Sequence, residues 1–140
     1  EAFEEVSSFP HKLVRLLEQV HTPYAAPGAD DDFMVPHVAE QAAQFLKANP
    51  DYSVAHGDAV VFRLTTGTVS GEMAWVTRYP QRSIERPTGV RRLLDHLSDY
   101  SVTGWSVHRT AQLRENWKYF GVYIFYSTRE EGRTNTFILI

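Results

Sequence analysis

Six histidines hold most of the acid–base capacity of this 140-residue chain: His11, His21, His37, His56, His96 and His108. An imidazole titrates near neutrality, so each becomes a general acid or base once a carboxylate orients it. The pairing with the best chemical logic is His108, near the end of a predicted strand, with Glu72 or Asp58 across a sheet. Nothing in the spacing brings those three together, and His56 (in a loop) and His96 (on the polar side of a predicted helix) have no evident partner. The run Asp30-Asp31-Asp32 invites a cation. A calcium loop needs alternating carboxylates and a Glu further on, so a solvated acidic loop is the better reading. His37 and Glu40 lie one helical turn apart, and two ligands do not make a metal site. There are no cysteines, so disulfides, thiolate ligands and a thiol nucleophile are excluded. Glycine-rich phosphate loops, a GxSxG elbow and HExxH are absent as well. The expectation is no metal, no cofactor, and a non-enzymatic role ahead of a catalytic one.

Aromatic and basic side chains offer a different chemistry. Trp75, Tyr79, Trp105, Trp117, Tyr119 and Tyr123 all fall on predicted strands, with Arg78, Arg109 and Lys118 nearby. On an uncovered sheet face they form a platform. Trp75, Arg78, Tyr79, Trp105, Arg109, Tyr119 and Tyr123 are the candidate partner-binding residues, because Trp, Tyr and Arg dominate protein–protein hot spots. The same surface stacks single-stranded bases, helped by Arg63, Arg82, Arg86, Arg91 and Arg92. The plainer alternative is that helices cover the face and the aromatics are core.

Charge is unevenly distributed. The net charge is −3, yet residues 1–60 carry three basic and ten acidic side chains and residues 61–140 carry eleven basic and seven acidic. An acidic helical part lying against a more basic sheet explains this without any partner.

These residues need elements to hold them. Leu13, Leu16, Leu17 and Val20 make one apolar stripe of a first helix, and Pro10 suits its first turn. Pro36 opens a second helix with Val38, Ala42, Phe45 and Leu46 inward, stopped at Asn49-Pro50. Thr88 caps a third, whose stripe is Val90, Leu93, Leu94 and Leu97. Strands are expected at about 59–65 and 69–79, joined by a turn at 65–68. Gly71 there signals a bulge or a close backbone approach, and Met73, Trp75 and Tyr79 share a face. A third strand is expected at 102–109, a turn at 111–115, and an apolar and aromatic central strand at 117–127. A polar turn at 129–133 leads to a final apolar strand at 134–140.

The fold class is therefore α+β: a mostly antiparallel five-stranded sheet with about three amphipathic helices, in one domain spanning 1–140. Residues 1–50 form its helical part and 51–140 its sheet with one crossover helix. Asp-Tyr-Ser-Val occurs at 51–54 and again at 99–102, each time after an amphipathic helix, which hints at two helix–strand–strand units. The order of elements resembles that of profilin-like and roadblock-like domains, a likeness of order that carries no function across.

Hydrophobic residues make up 43% and charged residues 22%, as in an ordinary globular chain. No apolar run is long enough to span a bilayer. The acidic start is not a leader, and with the lack of cysteine it points to an intracellular location, cytoplasmic or nuclear. The missing initiator Met and an ending in mid-pattern suggest a piece of a longer protein. The leading expectation is a protein-interaction or self-association domain that binds a protein partner or forms a homodimer. The alternatives are binding of RNA or single-stranded DNA, and a small-molecule or catalytic pocket between helices and sheet.

Overall fold

The computed structural model of the chain describes residues 9–29, 32–66 and 71–119. It is an α+β mixture with antiparallel strands. The helices are α1 (Phe9–Glu18), α2 (Pro36–Ala48), α3 (Gly89–Ser98) and α4 (residues 110–119). The strands are β1 (Tyr24–Ala25), β2 (Val54–Ala55), β3 (Ala59–Leu64), β4 (Met73–Tyr79) and β5 (Val107–Arg109).

The described strands form two sheets rather than one of five. In the first, β5 lies between β1 and β2, pairing Tyr24 with Arg109 and Val54 with His108. The second is the β3–β4 hairpin alone. α2 packs on the small sheet through Leu46 and Ala42, which meet Val107, with Tyr24, Ala39, Ala43, Tyr52 and Ala55 around them. Phe45 packs edge-on against Tyr52 at 5.0 Å. Leu17 of α1 and Leu113 of α4 are also buried.

Residues 111–115, expected to turn, and 117–119, expected to begin the central strand, are helical instead. The reason is local. Ala111, Gln112, Leu113, Arg114 and Glu115 are all good helix formers, and they carry Trp117 and Tyr119 along. Leu113 and Trp117 share a helix face at i, i+4, where Trp117 meets Phe9 edge-on at 5.9 Å. Lys118 pairs with Glu115 at 2.7 Å. The remainder of the expected central strand, 120–127, and the expected final strand, 134–140, lie outside the described residues.

Three arginines tie the helices down. A helix leaves its last four carbonyls without intrahelical donors, and cations are favoured there. Arg109 of β5 donates from Nη2 to the carbonyls of Leu46 (2.5 Å) and Asn49 (3.0 Å), and from Nε to Tyr52 (2.8 Å), closing the end of α2. Arg114 of α4 donates to Leu17 and Val20 at 2.9 Å each, closing α1. Arg82 reaches the carbonyls of Asp95 and Asp99 and the carboxylates of both, closing α3. Arg109 and Arg114, from the basic second half of the chain, thus meet the acidic first half at helix ends rather than at carboxylates.

Both Asp-Tyr-Ser-Val copies follow a helix, and each tyrosine packs edge-on against a ring of that helix, Tyr52 on Phe45 and Tyr100 on His96. The first copy runs into β2, and the second into an irregular stretch ahead of β5.

In the hairpin, Val61 pairs with Thr77, Phe62 with Val76 and Arg63 with Trp75, and the register then shifts so that Leu64 pairs with Met73. Paired residues point to one face. The shift therefore places Met73 with Phe62 and Val76 rather than with Trp75 and Tyr79. A Cβ on Gly71 would collide with Thr66 Oγ1 and lie 3.2 Å from both the Thr66 nitrogen and Leu64 Cβ, which is the close approach expected of this glycine. Gly71→Ala should accordingly destabilise the chain by about 1–3 kcal/mol, read as a lower urea midpoint at unchanged slope. A midpoint equal to the parent's would show that the approach is not a constraint.

Candidate interaction surface

The sequence-derived binding residues do not converge. Trp75 and Tyr79 share one face of β4, while Arg78 lies on the other and pairs with Asp58 at 2.8 Å. The Tyr79 hydroxyl accepts from the Val102 amide at 3.1 Å. Trp105 sits in the loop before β5 and Tyr119 on α4, both exposed. Arg109 is turned inward onto the α2 carbonyls, its guanidinium also 5.8 Å from the Tyr24 ring centre. Tyr123 lies outside the described residues. Among the described residues, these side chains form no single aromatic and basic platform.

Several other described arginines are engaged as well. Arg86 lies 3.5 Å from Asp95, and Arg92 donates to the Arg86 carbonyl at 2.9 Å. With Arg82, Arg109 and Arg114 holding helix ends, few guanidinium groups among the described residues remain for a phosphate backbone.

The chemistry weighed for the histidines and carboxylates takes other forms. Asp58 is occupied by Arg78. Glu40 accepts from Gln44 at 3.3 Å. His108 bonds the backbone of Thr103 and Gly104. Among the described residues no three His, Asp or Glu side chains gather as a metal site. Asp30 and Asp31 lie outside the described residues.

What the sequence reading did not find is an exposed apolar surface in two parts. On β3–β4 the first face presents Val60, Phe62, Met73 and Val76, and the second Val61 and Trp75, all of them exposed. Phe33, itself exposed, leans on Phe62 at 6.0 Å. The second part is α3. Its stripe was expected to be core, yet Val90, Leu93, Leu94 and Leu97 face outward, Leu94 at 61% exposure, while His96 on the opposite side is 1% exposed. The helix is inverted. Its polar side is drawn in because the 79–82 segment and residues 99–102 bind there: Arg82 clasps the helix end, Gln81 donates to the Val102 carbonyl at 3.1 Å, and Tyr79 accepts from the Val102 amide. Periodicity gives the stripe but not which side the rest of the chain occupies.

The chain finds no match among protein-family models, curated proteins or solved structures. No described helix is long and apolar enough to cross a membrane.

The inward polar side of α3 has a consequence for pH. Among the described residues, neither His96 nitrogen has a hydrogen-bond partner, nor do His108 Nε2, Ser101 Oγ and Gln81 Oε1, all of them buried. Burial lowers the His96 pKa, and the Arg82 charge lowers it further. Burial also lowers that of His108, although its backbone bonds to Gly104 and Thr103 act the other way. Both shifts favour the neutral ring in the folded chain. Their unfolded pKa is about 6.5, above the folded values, so below that pH the unfolded chain binds more protons. Stability should hold above about pH 6.5 and fall as the pH drops below it. His96→Leu should flatten this acid limb and raise stability near neutrality by about 1 kcal/mol, because it removes a buried ring with two unpaired nitrogens. Urea titrations of parent and variant at neutral and mildly acidic pH check this. An acid limb unchanged by the substitution would contradict it.

Proposed function

We propose that this chain is a non-enzymatic protein-interaction domain that self-associates by adding the outer edge of β4 to β4 of a second copy. One observation carries the reading: β3–β4 is a two-stranded ribbon whose apolar side chains are exposed on both faces. An isolated ribbon of this kind is marginal in water, and a third strand or a covering layer stabilises it. Among the described residues no further strand pairs with it. Its edge offers unpaired backbone groups, a template for strand addition.

The sequence of β4 favours a copy of itself as the partner. An antiparallel pair centred on Val76 sets Val76 against Val76, Trp75 against Thr77, Met73 against Tyr79 and Arg78 against Ala74. No charge faces a like charge, and aromatic and β-branched residues meet across the new ladder. Each fully buried apolar side chain contributes about 1.5–3 kcal/mol. With these already half covered, and with the cost of association set against them, the expected product is a reversible dimer.

Light scattering across an about hundredfold dilution tests the proposal, since mass action makes a reversible dimer concentration-dependent. A mass rising from one chain to two with concentration supports it. A mass of one chain throughout removes it.

A further inference from the structure

We propose that the outward face of α3, with Arg86 and Arg91 beside it, is a docking groove for a short acidic amphipathic segment of a partner protein. This surface is separate from the β4 edge and does not depend on the dimer. An amphipathic helix that turns its polar side inward leaves a ready-made apolar rail, here Val90, Leu94 and Leu97 at i, i+4 and i+7. Beside the rail is a groove of about 410 Å³ lined by Arg86, Pro87, Arg91, Leu94, Asp95 and Ser98.

Charge selects the occupant. Arg82 pairs with Asp95 and Asp99, Arg86 pairs with Asp95, and Arg91 lines the same groove, so three guanidinium groups meet two carboxylates and leave a positive surplus. Asp95 is already held between Arg82 at 3.6 Å and Arg86 at 3.5 Å, and Asp99 is held by Arg82 at 3.3 Å. Neither carboxylate competes strongly for a further cation. The side chain of Arg91 has no partner among the described residues, and Arg86 is well exposed. A guanidinium fork grips a carboxylate with two parallel hydrogen bonds. A segment with carboxylates on one side and apolar residues on the other meets both features at once, as in helix-in-groove recognition. A phosphate backbone fits less well, because it would lie along an apolar rail and past two aspartates.

The test uses the full chain and a fluorescein-labelled helical peptide with leucines at i, i+4 and i+7 and glutamates between them. Anisotropy should show binding that weakens with salt. Replacing the peptide's glutamates by glutamine, or introducing Arg91→Glu or Leu94→Ser in the chain, should each weaken it about tenfold or more. Both substituted side chains are on the surface, and circular dichroism should confirm an unchanged fold. The Val76→Lys chain should bind the peptide as the parent does, so failure here and failure of the β4 dimer are told apart. No binding at low salt, equal binding of the glutamine peptide, or indifference to either substitution overturns the proposal. Displacement of the peptide by polyuridine overturns it in favour of a nucleic acid. Loss of self-association in Leu94→Ser overturns it in favour of a second copy.

Discussion

Val76→Lys should convert the proposed dimer to a monomer while leaving the fold intact. Val76 sits at the middle of β4, more than half exposed within one chain. In the proposed antiparallel pair it meets its own counterpart on the two-fold axis. The substitution removes two apolar contacts and sets two ammonium groups directly opposite each other, a destabilising arrangement in a sheet. The combined cost is about 3 kcal/mol, which weakens association by roughly a hundredfold. Because the position is exposed in the monomer, the unfolding free energy at high dilution should change by only about 0.5 kcal/mol. Val76→Ile is the companion variant. It keeps the apolar contact and β-branching and should preserve the dimer. A chain that stays dimeric as Val76→Lys does not use this edge.

The largest loss of stability should come from Arg109. Its guanidinium satisfies three carbonyls at once, those of Leu46, Asn49 and Tyr52, at a site where α2 meets the small sheet. Charge-assisted hydrogen bonds each contribute roughly 1.5–3 kcal/mol, and buried acceptors stripped of their donor bear the desolvation cost. Part of that loss is recovered where water reaches the freed carbonyls. Arg109→Met should therefore destabilise the chain by about 3 kcal/mol, measured by urea unfolding. Arg109→Lys should recover little, since one ammonium on a flexible stem cannot bond three divergent carbonyls as a planar fork does. Arg114→Met should act in the same direction at α1 with a smaller effect, as it serves only two carbonyls. If Arg109→Met unfolds at the parent's urea midpoint, the arginine is not holding α2.

Local pattern in the sequence is enough to locate α1, α2, α3 and the β3–β4 pair. In each, apolar spacing and a terminal signal such as Pro36 or Thr88 agree. The α+β class follows from them. β1 and β2 escape because two residues each carry no periodicity; they are strands only through pairing with β5. α4 escapes because the aromatic run beginning at Trp117 reads as a strand, while the helix formers just before it decide the conformation of residues 117–119. The bulge that moves Met73 to the Val76 face is a property of the pairing, not of either strand alone.

The candidate site was less legible, for a related reason. Trp75, Arg78 and Arg109 stand out by residue type, and type does not reveal engagement. Arg109 reaches carbonyls some sixty positions away in the chain, and Arg78 reaches Asp58 twenty positions back. Nor does an amphipathic stripe say which way it faces. The leucines of α3 point outward because Arg82, Gln81 and Tyr79 hold the opposite side. Val60, Val76, Leu94 and Leu97 are exposed, and the proposed interaction surfaces are built on them rather than on the tryptophans and arginines alone.

Amide hydrogen exchange across β4 as a function of protein concentration addresses that edge most directly. The amides of β4 that point away from β3 have no partner within one chain's described strands. They should exchange quickly at high dilution and become protected at high concentration, in step with the doubling of mass, and Val76→Lys should abolish the protection. Fast exchange at every concentration, or protection that does not respond to dilution, would contradict the account.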